Sequence, residues 1–139
     1  MSLSTRSLKN LAGVSPNLCK VVARAAELSA IGFDVIEGVR TKERQQQLYA
    51  QGRTTAGAIV TWTLNSNHFI NQKTGYGHAV DILPKTGWND LHGFDVVAHA
   101  MFQAASELGV KIRYGADWDM DGNYRERGES DSPHFEEVI

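Results

Sequence analysis

One cysteine, Cys19, is the whole thiol content of the chain, so an internal disulfide is excluded and a reducing compartment is permitted. It sits among Leu18, Val21 and Val22 on a helix-like stretch, which predicts a buried, inert thiol. Long apolar runs are absent too. No stretch approaches the ~18 residues a membrane helix needs. The polar opening Met1 to Asn10, with Arg6 and Lys9, lacks the apolar segment of a signal peptide. The expectation is a soluble cytoplasmic product with no stable membrane association. Excess charge of either sign is missing as well: 14 basic against 16 acidic residues leave a net charge of −2. Nothing there holds a polyanion, and nucleic acid is excluded as the expected partner. Repeats, low-complexity tracts and Gly/Pro/Ser linkers do not occur, so residues 1–139 read as one domain, long enough to bury its own core.

What is present is a mixture of helical and strand patterns. Ser15-Pro16 reads as an N-cap with proline at the first helical position, and Leu18, Val21, Val22, Ala25 and Leu28 follow at helical spacing until Gly32. Phe33 to Val39 reads as a strand. Thr41 caps a second helix over 42–51, ended by Gly52, and Thr54 to Asn65 reads as extended or irregular. His78 to Leu83 is a strand stopped by Pro84. The longest helix starts at Asn89 and carries Leu91, Phe94, Ala98, Met101, Ala105 and Leu108 to Gly109. Strands are expected over Lys111 to Gly115 and His134 to Val138, with a carboxylate-rich loop between them. The βαβ rhythm of a doubly wound fold is missing. The fold class is therefore α+β, a small, mainly antiparallel sheet with packed helices.

Chemistry concentrates at strand ends and loops. A catalytic zinc takes three nitrogen or oxygen ligands and keeps a fourth position for water. His68, Asp81 and His134 supply two imidazoles and a carboxylate. Asp131, three residues before His134, reaches the same place if the chain bends at Ser132-Pro133, and is the candidate general base. Arg40, at the end of the first strand, is the candidate to steady an oxyanion or to fork a substrate carboxylate. His92 and His99, seven apart on the long helix, read as surface or core-edge residues, not ligands.

Ser66, His68, Gly77, Ala79 and Asp81, followed by Asp131 and His134, resemble the Ser-x-His-x-x-Gly-x-Ala-x-Asp and Asp/Glu-x-x-His motifs of zinc D-Ala-D-Ala carboxypeptidases and phage L-alanyl-D-glutamate endopeptidases. The segments Glu37 to Thr41 with Gln45, and Gly115 to Trp118, are similar to two further segments of that family. The resemblance covers most of the chain. It implies a hedgehog/D-Ala-D-Ala-peptidase-like fold, Zn2+ on His68, Asp81 and His134, Asp131 as base, Arg40 as the catalytic or substrate-anchoring cation, and Gln45, Ser66 and Trp118 along the substrate cleft. It implies a peptidoglycan stem peptide as substrate, a monomer, and release from the host cytoplasm by a holin-type pore. One departure stands out. Between His68 and Gly77 this chain has six residues more than the motif, Phe69 to Tyr76 filling the interval. Either this stretch bulges and returns His68 to the metal, or His78 substitutes; but His78 and Asp81, three apart on a strand, face opposite sides.

Asp117, Asp119, Asp121 and Gly122 match the start of a calcium loop, although Gly128 occupies the place of its closing glutamate. Ca2+ is thus a second candidate cation, against a reading in which the aspartates only cap turns. The leading function is a zinc-dependent endopeptidase (endolysin) cutting the L-Ala-D-Glu bond. The alternatives are a D-Ala-D-Ala carboxypeptidase and a non-catalytic zinc-binding module, the latter having no use for Asp131.

Overall fold

In the computed structural model, residues 3–54, 68–122, 124–125 and 131–139 are described. The elements run α1 (Thr5–Asn10), α2 (Pro16–Leu28), β1 (Phe33–Glu37), α3 (Lys42–Ala50), β2 (Ala79–Pro84), α4 (Leu91–Leu108), β3 (Ile112–Tyr114) and β4 (His134–Glu137). Among the described residues the strands form a four-stranded sheet of order β1-β2-β4-β3, and every neighbouring pair is antiparallel. The architecture is the expected α+β. All but Thr54 of the expected segment Thr54 to Asn65, and the candidate Ser66, lie outside the described residues.

The two long helices cover one face of the sheet. Leu18, Val21, Val22 and Ala25 of α2 meet Val97, Ala98, Met101 and Ala104 of α4, over Val35, Val80, Ile82, Ile112 and Phe135 from the strands. Each of the larger side chains adds about 1.5–3 kcal/mol of burial. The alanines on α4 let α2 approach closely, which concentrates the core under β2 and β4. Cys19 is half-buried against the Leu11 and Val14 carbonyls, and burial pushes its thiol pKa up. His92 and His99 are exposed.

Several boundaries differ from the sequence reading for local reasons. The polar opening forms α1, with the Ser4 hydroxyl accepting from Ser7 N–H as a cap. Ser7 is fully buried, and its hydroxyl accepts from Val35 N–H, tying α1 to β1. Helix α2 stops at Leu28, not Gly32, because Ser29 turns extended and its side chain closes a turn with Ile31. Asp90, not Asn89, precedes the first turn of α4 and accepts from Gly93 N–H. Leu91 and Leu108, expected in the core stripe, lie exposed at the two ends of that helix. Strand β1 ends at Glu37, where the pairing slips between Val35 and Glu37. That bulge places Glu37, rather than Ile36, opposite Asp81, and so aims a carboxylate at the uncovered face.

At the far end of the sheet, Glu137 is buried and accepts from His78 Nδ1 at 2.9 Å and from Asn17 Nδ2 at 3.3 Å. Burial alone would raise its pKa; the hydrogen bonds from Ser15, His78 and Asn17 overcome this and lower it. A depressed carboxyl pKa stabilises the fold above the unfolded value, and that contribution fades as pH falls through the folded value. Glu137→Ala is expected to destabilise by about 1–3 kcal/mol at pH 7, since the buried Ser15 and His78 and the exposed Asn17 all lose their acceptor. The difference from wild type should shrink below about pH 4.5. Thermal melts of both proteins at pH 7 and pH 4 check this, and an undiminished gap at pH 4 would contradict it.

Candidate metal centre

The uncovered face of the sheet carries the chemistry. Asp81 on β2 stands opposite His134 on β4, so both point to one side. His68 comes from the loop before β2 and is held by its own backbone, its carbonyl accepting from Arg40 N–H at 2.9 Å. Asp81 Oδ1 lies 3.3 Å from His68 Nε2 and 3.5 Å from His134 Nδ1. Donors bound tetrahedrally at zinc–ligand lengths of about 2.0–2.1 Å are roughly 3.3 Å apart. The three atoms therefore already stand at the edges of a metal's coordination shell.

Their chemistry fits as well. His68 Nδ1 donates to the Gly38 carbonyl at 2.7 Å, and His134 Nε2 donates to Glu136 Oε1 at 2.8 Å. Each bond fixes a tautomer whose other nitrogen presents a lone pair to the centre. Asp81 Oδ1 is buried with no hydrogen-bond partner among the described residues, as a ligand oxygen would be without its ion. The electrostatics say the same. Burial would raise the Asp81 pKa, yet His134 and His68 hold it far below the usual carboxylate range. For His134, burial would lower the pKa, but Asp81 and Glu136 push it up to about 9.

The inserted stretch forms a closed excursion. Ile70 and Gly77 bridge its ends, and Asn71 N–H donates to the Tyr76 carbonyl. His68 is thus returned to the centre. His78 points away, between Glu137 and the Thr74 hydroxyl at 2.6 Å.

Arg40 is engaged on nearly every side. Its Nε and Nη2 fork Glu37 at 2.9 Å each, Nη2 also reaches Asp81 Oδ2 at 3.2 Å, and Nη1 donates to Gln45 Oε1 at 2.7 Å. Gln45 is fully buried behind it, a support for the guanidinium rather than an open cleft wall. Asp131 sits 3.9 Å from His134 Nδ1 with its side chain 52% exposed. The bend at Ser132-Pro133 is a turn closed by His134 N–H to the Asp131 carbonyl. Partial desolvation lifts the Asp131 pKa above its ordinary value; His134 opposes this and Asp81 reinforces it. The Trp118 ring lies 5.2 Å from that of His134 and walls the site. Asp117, Asp119 and Asp121 gather beside it, with Asp117 accepting from Asp121 and Gly122 N–H.

Glu136, Glu37 and Arg125 were given no role by the sequence reading. Glu136 was legible in principle, two residues from His134 and so on the same face of a strand. Arg125 left no such signal. It forks Asp95 on α4 at 2.9 and 3.0 Å and donates to Ser132 Oγ at 3.0 Å, which anchors the turn between Asp131 and His134.

Two imidazoles and a carboxylate facing one point form a candidate metal site, and the second carboxylate alongside fits the class of metal-dependent hydrolases. The phage L-alanyl-D-glutamate peptidase family matches residues 1–138. The chain is 39% identical over 139 residues to the L-alanyl-D-glutamate peptidase of Escherichia phage T5, covering 95% of this chain and 94% of that protein. It resembles the crystal structure of the Serratia marcescens L-Ala D-Glu endopeptidase ChiX with a TM-score of 0.75 and 29% identity, over 99% of this chain and 90% of that one. The chain belongs to the phage L-alanyl-D-glutamate peptidase family.

Glu136 should matter through His134. Glu136→Gln is expected to weaken zinc binding about 10–100-fold, measured by competition with a chromogenic chelator. Unchanged affinity would remove Glu136 from the site.

Proposed function

We propose that this protein is a zinc-dependent peptidoglycan endopeptidase that hydrolyses the L-Ala-D-Glu bond of cell-wall stem peptides. The observation that carries the reading is the convergence of His68 Nε2, Asp81 Oδ1 and His134 Nδ1, with both rings locked by outer hydrogen bonds and Asp131 beside them. Family membership supports the bond assigned. Zinc, once bound, supplies Lewis acidity and lowers the pKa of a ligated water towards ~7. The chain's residues do the rest. Asp131, half in solvent and with a raised pKa, takes the proton of the attacking water and returns it to the departing amine. Arg40 holds Asp81 through Oδ2, which keeps Oδ1 turned to the centre. Trp118 closes one wall against water.

Mass spectrometry of purified peptidoglycan after digestion tests the reading. A newly exposed D-Glu amine, lost on chelation and restored by zinc, is the expected result. Loss of the terminal D-Ala alone would make the protein a carboxypeptidase, and no product under any metal condition would leave a zinc-binding module.

The same reading has the protein acting as a monomer, reaching the wall from the host cytoplasm through a holin-type pore. Calcium is its second proposed cation, at Asp117, Asp119 and Asp121. Burial and the neighbouring carboxyls raise the Asp117 pKa, against the Gly122 N–H, and a bound cation would relieve that crowding. Calcium should then raise the melting temperature; no shift would leave the aspartates as turn caps.

A further inference from the structure

The polar face of the sheet continues past His134. Arg113 on β3 pairs with Glu136 on β4, and Glu136 shares its face with His134 and Asp81, so the four side chains form one row. Beyond Glu136 opens a cavity of 660 Å³. Residues 69–73 of the inserted loop wall it on one side and Val138 and Ile139 on the other, with Arg113 and Glu136 in its lining. That volume suits a peptide-sized ligand, within the usual span of about 300–1,000 Å³.

The carboxylates lining this cavity are already answered by histidines: Glu136 Oε1 by His134 and Glu137 Oε1 by His78. Arg113 is not answered in the same way. Its Nη1 stands 3.7 Å from Glu136 Oε2, too far for a hydrogen bond, and its Nε is buried with no hydrogen-bond partner among the described residues. The guanidinium lies 6.0 Å from the centroid of Trp118, whose ring in turn flanks His134. Lys73 adds a second, exposed cation at the rim. Arg40, the other arginine near the centre, has already donated to Glu37, Gln45 and Asp81. Arg113 is therefore the guanidinium on this face with donors left for a ligand, and a carboxylate is the group that its fork matches.

We infer that this groove is the subsite for the D-glutamyl side of the substrate, and that Arg113 anchors a free carboxylate there. The inference rests on the endopeptidase reading above. A glutamyl residue linked on both sides within a peptide keeps one of its two carboxyls free, whichever one is linked onward. That free group lies next to the bond to be cut. Arg113 then acts as a specificity residue, separating stems with a free carboxylate from stems in which it is amidated. The inserted loop, by which this chain's motif is the longer, supplies the outer wall.

The test uses the zinc-loaded protein and two synthetic stem peptides, identical except that one carries the free D-glutamyl carboxylate and the other its amide. Wild type is expected to prefer the carboxylate by about 10- to 100-fold in kcat/KM. Arg113→Gln should lose that preference, the loss falling mainly on the KM of the carboxylate peptide. Arg113→Lys should recover part of it, since charge returns without the fork. Equal losses on both peptides, or a preference that survives Arg113→Gln, would overturn the assignment. Because Arg113→Gln could disturb Glu136, the wild-type comparison stands alone: equal cutting of the two peptides overturns the subsite and leaves the endopeptidase intact. A wild type that cuts neither peptide overturns the endopeptidase reading, and the subsite with it.

Discussion

Asp131→Asn will lower kcat by about 10²–10⁴-fold, the range for losing a positioned general base, while the protein still folds and still holds zinc. Asparagine keeps the shape of the side chain and removes only its capacity to take a proton. The fold should not notice. The side chain is 52% exposed, and the turn is closed by the Asp131 backbone carbonyl, which asparagine retains. Exposed substitutions of this kind usually change stability by less than about 0.5 kcal/mol. The metal should hardly notice either, because His68 Nε2, Asp81 Oδ1 and His134 Nδ1 remain in place. His134→Ala is the contrast: it removes a ligand and should lose zinc and activity together. Turnover of a stem peptide, zinc content by elemental analysis and a thermal melt separate the cases. An Asp131→Asn enzyme with near-native kcat would pass the role of base to another group.

The reach of the sequence is visible in how each part of this site is built. His134 and Asp131 were legible because a three-residue spacing and a Ser-Pro bend are local facts, and the turn closes within the same four residues. That His78 and Asp81 face opposite ways was legible too, since alternation along a strand is local. The return of His68 was one of two alternatives that the spacing left open. It depends on the Ile70–Gly77 bridge and on Arg40 N–H reaching the His68 carbonyl, contacts between segments that no spacing rule connects. The sequence offered Arg40 to an oxyanion or a substrate carboxylate and showed none of its internal partners, which come from three places: the bulge at Glu37, Gln45 on α3 and Asp81 on β2. A bulge is invisible to a periodicity argument, yet here it decides which side chain faces the site. For the fold, the apolar stripes of α2 and α4 carried the architecture. Helix α1 was missed because its partners are Asp34 and Val35 of β1, and its own face is polar.

Gly115→Ala should damage stability and catalysis together. Gly115 closes β3 directly under the Asp131–His134 turn, and its N–H donates to the His134 carbonyl at 2.7 Å. A Cβ built there would lie 2.1 Å from the Asp131 carbonyl oxygen and 2.8 Å from His134 Cβ. Neither is the far end of a flexible chain, so the turn itself must move. Overpacking of this kind costs about 1–3 kcal/mol, which lowers the melting temperature by several degrees in a domain of this size. The displaced atoms belong to the proposed base and to a proposed metal ligand, and a misplacement of about 1 Å is enough to cost roughly 10²-fold in rate. Gly109→Ala supplies the control. Gly109 caps α4 with a left-handed φ of 69°, and a Cβ there meets nothing within 4 Å. It should cost about 1–2 kcal/mol of backbone strain and leave kcat alone. Melting temperature and kcat measured on both variants distinguish a strained backbone from a displaced site. If Gly115→Ala lost stability but kept wild-type kcat, the turn would have to absorb the methyl group without moving Asp131, and the close packing under it would have no part in positioning the base.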